Sequence, residues 1–248
     1  MELLVCIAII IILCSIAYPV YISMKRKAYS AAALKKMQQL GAGLVRYASE
    51  NNGLLPKETT DSGENSWQTA AQPDAADVWY NAVPKLAGGT GTGAYSAAGN
   101  AAGFYAADSL LALEGVDYPS SKMRKPLYPF GYNTKLHRKD PTTGQKPRVN
   151  LSKIADPSRV VALLEQGLKG EKRAMQGMPR YDGDDCKASG KQFVARWGDK
   201  GILIFIDGHS EMVQASDILE TASGLRLKWH ATDASAIRWC VDATEDPN

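Results

Sequence analysis

The chain opens with an apolar run that is too long for an ordinary soluble helix. Its first residues, MELLVCIAIIIILCSIAYPVYI, place Glu2 ahead of a stretch that is interrupted only by Ser15, Pro19 and two tyrosines. About twenty apolar residues in a helix match the hydrocarbon thickness of a bilayer, so we predict a transmembrane helix over residues 1–23. Because a carboxylate is costly in lipid, Glu2 is either an interfacial residue at the start of this helix or a buried group that needs a partner.

Helical periodicity continues beyond this run. Pro19 has no amide proton, so we expect the helix to bend there without ending. Asn51, Asn52 and Gly53 predict the helix end, because Asn and Gly accept the left-handed conformation that closes a helix. The pattern therefore predicts an amphipathic continuation over residues 24–53. Its apolar positions recur at helical spacing: Leu34, Met37, Leu40, Leu44 and Ala48.

These features resemble a known family. The segment ELLVCIAIIIILCSIAYP is similar to the N-terminus of type IV pilins and type II secretion pseudopilins, where a glutamate opens the apolar helix and a proline kinks it at this same spacing. Three further segments resemble a pseudopilin-like group of Planctomycetes and Verrucomicrobia that ends in an Asp-Gly-His type motif. Many of those relatives carry a histidine where this chain has Trp197. The resemblance therefore implies no role for position 197 that would depend on a histidine. The three segments are FGYN at 130–133, IADPSRVV at 154–161 and WGDKGILIFIDGHSEMV at 197–213.

The resemblance implies an assembly role for Glu2 and Pro19. In the family the equivalent carboxylate lies within the bundle of apolar helices and pairs with the N-terminal amine of a neighbouring subunit, while the proline lets the helix flex. The implied partners are other pilin-like subunits, the inner membrane, and prepilin peptidase where a basic leader precedes the helix. Met1 stands directly before Glu2 in the given sequence. We expect an upstream leader, and prepilin-type N-terminal methylation after its removal.

The charges that follow the apolar run oppose export of the C-terminal part. Lys25, Arg26 and Lys27 alone would hold that part in the cytoplasm by the positive-inside tendency. A basic leader that stays in the cytoplasm would restore the balance. We therefore expect a single-pass inner-membrane protein with a periplasmic C-terminal domain. A signal-anchored cytoplasmic protein is the alternative if Met1 is the true start.

The remaining residues, 54–248, are long enough for one globular domain with a buried core. The formal net charge of +3 is small for 248 residues, so it supports no nucleic-acid partner. A short helix is predicted over 75–86, where apolar residues have helical spacing. Residues 87–104 are so rich in Gly, Ala and Ser that they predict a long surface loop.

The C-terminal third predicts an antiparallel sheet. Asp207 and Gly208 favour a tight hairpin turn in which both residues are left-handed. The apolar run ILIFI before them predicts a strand covered on both faces, one of them by the N-terminal helix. The expected fold class is α+β: a long transmembrane helix, kinked at a proline and packed on a C-terminal antiparallel sheet, as in pilins. The predicted strands are 158–165, 191–197, 201–206 and 209–214.

The four cysteines fall into two pairs. Cys6 and Cys14 lie in the apolar helix, where a thiol packs as a small hydrophobe. Cys186 and Cys240 could form a disulfide in an oxidising periplasm if their α-carbons come close enough. No Cys/His spacing supports a zinc site.

Candidate catalytic and metal-binding groups are sparse. His209 beside Asp207 could be an acid–base pair, although such turn residues more often satisfy backbone groups. The acidic loop that holds Asp182, Asp184 and Asp185 could bind calcium, but an acidic surface turn needs no metal, so we predict no metal and no cofactor. The three histidines stand in no recognised catalytic spacing: His137, His209 and His230.

The sequence thus predicts a noncatalytic, pilin-like subunit of a secretion pseudopilus or a related filament. The alternative is a membrane-tethered periplasmic binding module or hydrolase that uses the helix only as an anchor. Its support is the size of the domain and the long loops between residues 87 and 150, where aromatic side chains could collect around a ligand. Those side chains are Tyr95, Phe104, Tyr105 and Tyr128.

Overall fold

One long helix dominates the molecule. The computed structural model describes residues 2–137, 142, 147–168, 171, 185–220, 226–229, 236–242 and 244–248. Helix α1 (Glu2–Glu50) has 49 residues and therefore rises about 75 Å. Pro19 lies inside it without ending it, as predicted. The predicted end is also confirmed: Asn52 and Gly53 have φ angles of 54° and 82°, and the Gly53 amide donates to the Ala48 carbonyl at 2.7 Å.

Five short α-helices follow α1 in the described residues. The helix predicted over 75–86 begins later, at Trp79, because Val78 is extended and bridges Lys57, whose carbonyl accepts the Trp79 amide at 3.0 Å. The surface loop predicted over 87–104 is wrong, since it contains two of these helices and buries Thr92 and Phe104. The five are α2 (Trp67–Ala70), α3 (Trp79–Leu86), α4 (Thr92–Ala97), α5 (Ala101–Phe104) and α6 (Ala215–Ile218).

The main sheet has five strands in the order β3-β1-β2-β4-β5. Strand β3 runs parallel to β1, and the other neighbours are antiparallel, so the sheet is mixed and the prediction of a purely antiparallel sheet is corrected. A separate two-stranded sheet joins β6 to β7. The strands are β1 (Phe130–Asn133), β2 (Val161–Glu165), β3 (Lys187–Ala188), β4 (Lys200–Phe205), β5 (Ser210–Gln214), β6 (Leu219–Glu220) and β7 (Arg226–Leu227).

One predicted strand does not form. Within 191–197 the chain first makes a 3-10 turn, Gly190–Gln192, closed by hydrogen bonds between Ser189 and Gln192. Phe193 then forms only an isolated bridge with Gln166. The apolar residues that suggested a strand are buried as loop residues because they pack against β2 and the strands beside it.

The sheet is covered on both faces, as the ILIFI run predicted. On one face lies the second half of α1, whose apolar stripe is buried between β4, β5 and α3. On the other face a second cluster gathers around Phe205 and Trp239. The buried residues of the α1 stripe are Ala33, Met37, Leu40, Leu44 and Ala48.

Candidate functional site

The first half of α1 is an exposed apolar surface. In the described part of the chain, this is the one helix long and apolar enough to cross a membrane, and none of its most apolar window is buried by the rest of the chain. Contiguous exposed apolar surface on this scale needs a cover. The exposed side chains are Ile7, Ile9, Ile10, Ile11, Ile12, Leu13, Ile16, Tyr18, Val20, Tyr21 and Met24.

The two predicted assembly residues lie at the start and near the end of this surface. Glu2 is the first residue of α1, and its side chain lies outside the described part. Pro19 cannot donate to the Ser15 carbonyl one turn earlier, so this carbonyl loses its helical hydrogen bond. In the same turn the Ser15 hydroxyl donates to the Ile12 carbonyl at 2.7 Å, and the Ser15 carbonyl remains without a helical donor. The helix is therefore weakened at one turn but remains continuous.

The Asp-Gly-His segment forms the hairpin between β4 and β5. Gly208 is left-handed, with φ 89°, and its amide donates to the Phe205 carbonyl at 3.0 Å. Asp207 is not left-handed, so the predicted two-residue turn is replaced by a three-residue loop over 206–208. A type I turn followed by a left-handed glycine is a usual solution for a loop of this length.

His209 and Asp207 are in contact at the surface. The His209 Nδ1 lies 2.6 Å from Asp207 Oδ1, which also accepts the His209 amide at 3.1 Å. The imidazole stacks on Phe205, with ring centroids 4.3 Å apart. No serine, threonine or cysteine side chain among the described residues is hydrogen-bonded to this ring. The pair therefore closes its own turn, which is the structural role expected for such residues.

The same hairpin touches α1 through two glycines. A Cβ atom placed on Gly41 would lie 2.1 Å from the Gly208 carbonyl oxygen, and one placed on Gly208 would lie 2.8 Å from the Gly41 oxygen. Only residues without a side chain allow the two backbones to approach so closely. A second glycine of α1 makes a similar contact with α3: a Cβ atom placed on Gly43 would lie 2.5 Å from the Val83 carbonyl oxygen. The helix is thus seated against both the sheet and α3 within one turn.

A buried ionic cluster joins the end of β2 to the segment before β4. The Arg196 guanidinium contacts Glu165 at 3.1 Å and Glu171 at 2.7 Å, and the three side chains are between 0% and 2% exposed. The Trp197 indole donates to both Glu165 oxygens at 3.2 and 3.0 Å, and the Ile202 amide donates to one of them at 2.8 Å. Trp197, singled out in the sequence, thus serves as a donor to a buried carboxylate.

The cluster holds two carboxylates and one guanidinium. Burial raises the pKa of Glu165 to about 7 from an ordinary 4.5, although Arg196 and the N–H donors favour the ionised form. Burial alone would lower the pKa of Arg196, but Glu171 and Glu165 outweigh it and raise that pKa above its usual range. A proton on Glu165 leaves one neutral Arg196–Glu171 pair in the interior, which reduces the desolvation cost. The sequence indicates only one member of this cluster, Glu165, a carboxylate that ends the apolar run VALLE.

The raised pKa predicts a pH-dependent stability. Between about pH 4.5 and about pH 7 the unfolded Glu165 has lost its proton while the folded one keeps it, so we expect the free energy of unfolding to fall by about 1.4 kcal/mol per pH unit from this group. The full effect is about 3 kcal/mol, and it is complete above about pH 7. Urea unfolding of the full chain in detergent micelles across this range measures it.

The variant Glu165→Gln separates this effect from all other titrations, because its side chain stays neutral. Its stability relative to the wild type should rise with pH through the same window. Glu211→Gln removes an exposed carboxylate on β5 and should leave the wild-type profile in place. A pH profile shared by the wild type and Glu165→Gln would contradict the assignment.

The remaining predicted site residues do not come together. Cys186 and Cys240 are both buried, and the predicted disulfide between them is not formed in this structure. The Cys186 Sγ instead donates to the Glu58 carbonyl at 3.4 Å. Asp182, Asp184 and His230 lie outside the described residues. The third residue of the acidic loop, Asp185, accepts a hydrogen bond from the Cys186 amide at 2.7 Å. Among the described residues, no group of three or more His, Cys, Asp or Glu could hold a metal ion.

The aromatic residues proposed for a ligand site are packing residues. Phe104 and Tyr128 are fully buried, and their rings lie 5.6 Å apart, centroid to centroid. Tyr105 packs edge-on against Phe104 at 4.8 Å, and its hydroxyl accepts the Leu127 amide at 2.9 Å. Tyr95 packs against Phe104 at 5.9 Å. These four side chains therefore have packing partners within the domain.

The described architecture is α+β, with a long N-terminal apolar helix and a C-terminal mixed sheet. Comparisons with protein-family models, curated proteins and solved structures find no match. What distinguishes the chain is one helix in two environments, exposed and apolar in its first half and packed on a domain in its second.

Proposed function

We propose that this chain is a noncatalytic, pilin-like subunit of a type II secretion pseudopilus or a related type IV filament. Before assembly it is anchored in the inner membrane by the first half of α1, with the rest of the chain in the periplasm. Its partners are other pilin-like subunits, the membrane, and prepilin peptidase acting on an upstream leader. It needs no cofactor.

One observation carries this proposal: the two halves of α1 differ in burial although they form a single helix. The exposed fractions of Ile10, Ile11 and Ile16 are 58%, 62% and 63%, whereas Met37 and Leu40 are fully buried. The exposed half matches the thickness of a bilayer, and the same surface can be covered by equivalent helices of neighbouring subunits once it leaves the lipid. A subunit that moves from membrane to filament needs such a surface.

Glu2 and Pro19 have distinct roles in this proposal. The Glu2 carboxylate pairs with the N-terminal amine of a neighbouring subunit, because two charges buried in an apolar bundle are tolerated only when they meet. Pro19 removes one helical hydrogen bond and lets the apolar half bend relative to the half that is fixed to the domain.

The native cysteines offer a direct assay of this packing. Cys6 and Cys14 are exposed on the apolar half of α1, whereas Cys186 and Cys240 are buried. Mild oxidation of membranes should therefore join neighbouring subunits through α1, and the double variant Cys6→Ser/Cys14→Ser should abolish these dimers. We expect Glu2→Ala to reduce the dimer yield at least about tenfold, since an unpaired buried amine remains.

Glu50→Ala is the matched control, because it removes an exposed carboxylate at the opposite end of the same helix. It should leave the dimer yield unchanged. Mass spectrometry of the N-terminal peptide in each variant separates an assembly defect from a processing defect. Equal dimer yields for wild type and Glu2→Ala, with equal processing, would show that Glu2 is not an assembly residue.

A further inference from the structure

A groove lies where the apolar half of α1 meets the globular domain. Its volume is about 410 Å³. One wall is a stripe of α1, and the other is the loop of residues 115–117. This is the size range of pockets that hold small ligands. The helix contributes Tyr18, Tyr21, Ile22, Lys25, Arg26 and Tyr29.

The helix wall changes character along its length. Its first turn presents Tyr18 and Tyr21, whose side chains are 67% and 61% exposed and continue the apolar surface. Two turns later it presents Lys25 and Arg26. The rise along the helix axis from Tyr18 to Arg26 is about 12 Å. The Lys25 ammonium lies over the Tyr29 ring, 5.5 Å from its centroid. The groove thus runs from aromatic and apolar groups to cationic groups.

The loop wall is held firmly against the helix. Gly115 is left-handed, with φ 78°, and a Cβ atom there would lie 2.6 Å from the Tyr29 ring. The Lys36 ammonium of α1 donates to the Ala112 carbonyl at 2.8 Å, just before this loop. Val116 is buried against the core. The second wall is therefore a fixed part of the domain.

The charges of the groove favour a monoanion. Its lining carries two cations, Lys25 and Arg26, and one carboxylate, Asp117. Arg presents a fork of N–H donors that matches phosphate oxygens. Lys has three donors, so it can keep its contact with Tyr29 while it also donates to a phosphate. Tyrosines are enriched at the level of lipid headgroups, and basic groups beyond them attract lipid phosphates.

We propose that this groove binds one anionic glycerophospholipid of the leaflet nearest the globular domain, with its headgroup phosphate held by Arg26 and Lys25. The acyl chains follow the apolar surface that begins at Tyr18 and Tyr21. This inference rests on the membrane placement of α1 in the proposed function. The bound lipid would occupy the gap between helix and domain and fix their relative tilt at the membrane surface.

The test uses the full chain in nanodiscs that contain phosphatidylglycerol with a photoactivatable group near its headgroup. Mass spectrometry of the crosslinked peptides should place the lipid on Tyr29 or on the loop of residues 115–117. The double variant Lys25→Gln/Arg26→Gln should lower this crosslinking at least about fivefold. Lys27→Gln/Lys35→Gln removes the same charge from exposed positions that do not line the groove, and it should keep the wild-type yield.

Equal losses in the two double variants would overturn the proposal, because a general charge effect would explain them. Loss of the crosslink at a glycerol 3-phosphate concentration no higher than that of the lipid would overturn the lipid as the source of the phosphate, because the acyl chains would then add nothing to binding. Flotation with the nanodiscs is scored separately: a chain that fails to insert contradicts the membrane anchor itself, whereas an inserted chain without a groove crosslink contradicts only the lipid site.

Discussion

Replacing Arg196 by methionine is expected to lower the free energy of unfolding by about 3–5 kcal/mol at about pH 8, because it leaves two buried carboxylates without their counter-ion. The Arg196 guanidinium contacts Glu165 and Glu171 and also donates to the carbonyls of Pro129 and Gln166. Methionine fills similar space but supplies no donor. Urea unfolding of the full chain in detergent micelles, followed by near-ultraviolet circular dichroism, measures the loss.

The loss should shrink on acidification. Burial raises the pKa of Glu165 to about 7, so at about pH 5 this carboxyl carries a proton, and the variant then leaves fewer uncompensated charges than at about pH 8. Arg46→Met is the matched control, because Arg46 forms an exposed pair with Glu50 in which the side chains are 63% and 50% exposed. An exposed pair of this kind contributes about 0.5 kcal/mol. Equal losses in the two variants would mean that the buried cluster adds nothing beyond a surface pair.

Replacing Trp79 by alanine is expected to cost about 3–5 kcal/mol of stability, which is the usual range for removing a buried tryptophan. Trp79 is fully buried, its indole donates to the Cys186 carbonyl at 2.8 Å, and its ring packs on Tyr128 and Phe130 at 5.4 and 5.8 Å. It thus joins α3 to β1 and to the segment that contains β3. Urea unfolding followed by near-ultraviolet circular dichroism measures the change.

Trp67→Ala is the control, because Trp67 is only partly buried at the edge of the same aromatic cluster. We expect a loss of about 1 kcal/mol for that variant. If both variants unfolded like the wild type, the aromatic cluster would not belong to the cooperative core.

The sequence predicted those helices and strands that are determined by residues close to one another along the chain. The apolar run and the stripe behind it predicted α1, since both depend only on spacing along one helix. Strands β4 and β5 were predicted because their apolar residues flank a turn-forming Asp207–Gly208 pair. The end of α1 followed from Asn52 and Gly53, whose left-handed tendency is intrinsic.

Elements that depend on distant partners were missed. Strand β1 has only four residues and follows Pro129, but all four are buried because β2 and β3 pair with it on both sides. Residues 191–197 have a strand-like composition, yet in the structure they pair with the rest of the sheet only through the isolated bridge between Phe193 and Gln166. The Arg196 cluster joins residues that are about thirty positions apart along the chain, so no local spacing could reveal it.

The glycines of α1 were an unused indication. Gly41 and Gly43 lie inside a helix, where each costs about 1 kcal/mol relative to alanine. Their presence in the segment GAG therefore predicts that other backbones come close, which is what the carbonyls of Gly208 and Val83 do. Sequence could have located this contact on α1, but not its partners.

The contact between Gly41 and Gly208 has a mechanical consequence. Any machine that pulls this chain out of a membrane by its helix, or pushes a filament from below, loads α1 along its axis. Gly41 and Gly43 lie closer to the carbonyls of Gly208 and Val83 than residues with side chains could, so α1 cannot slide along its axis unless both contacts first separate. These contacts therefore transmit axial force from the second half of α1 to the sheet, so this half of the helix and the sheet move together.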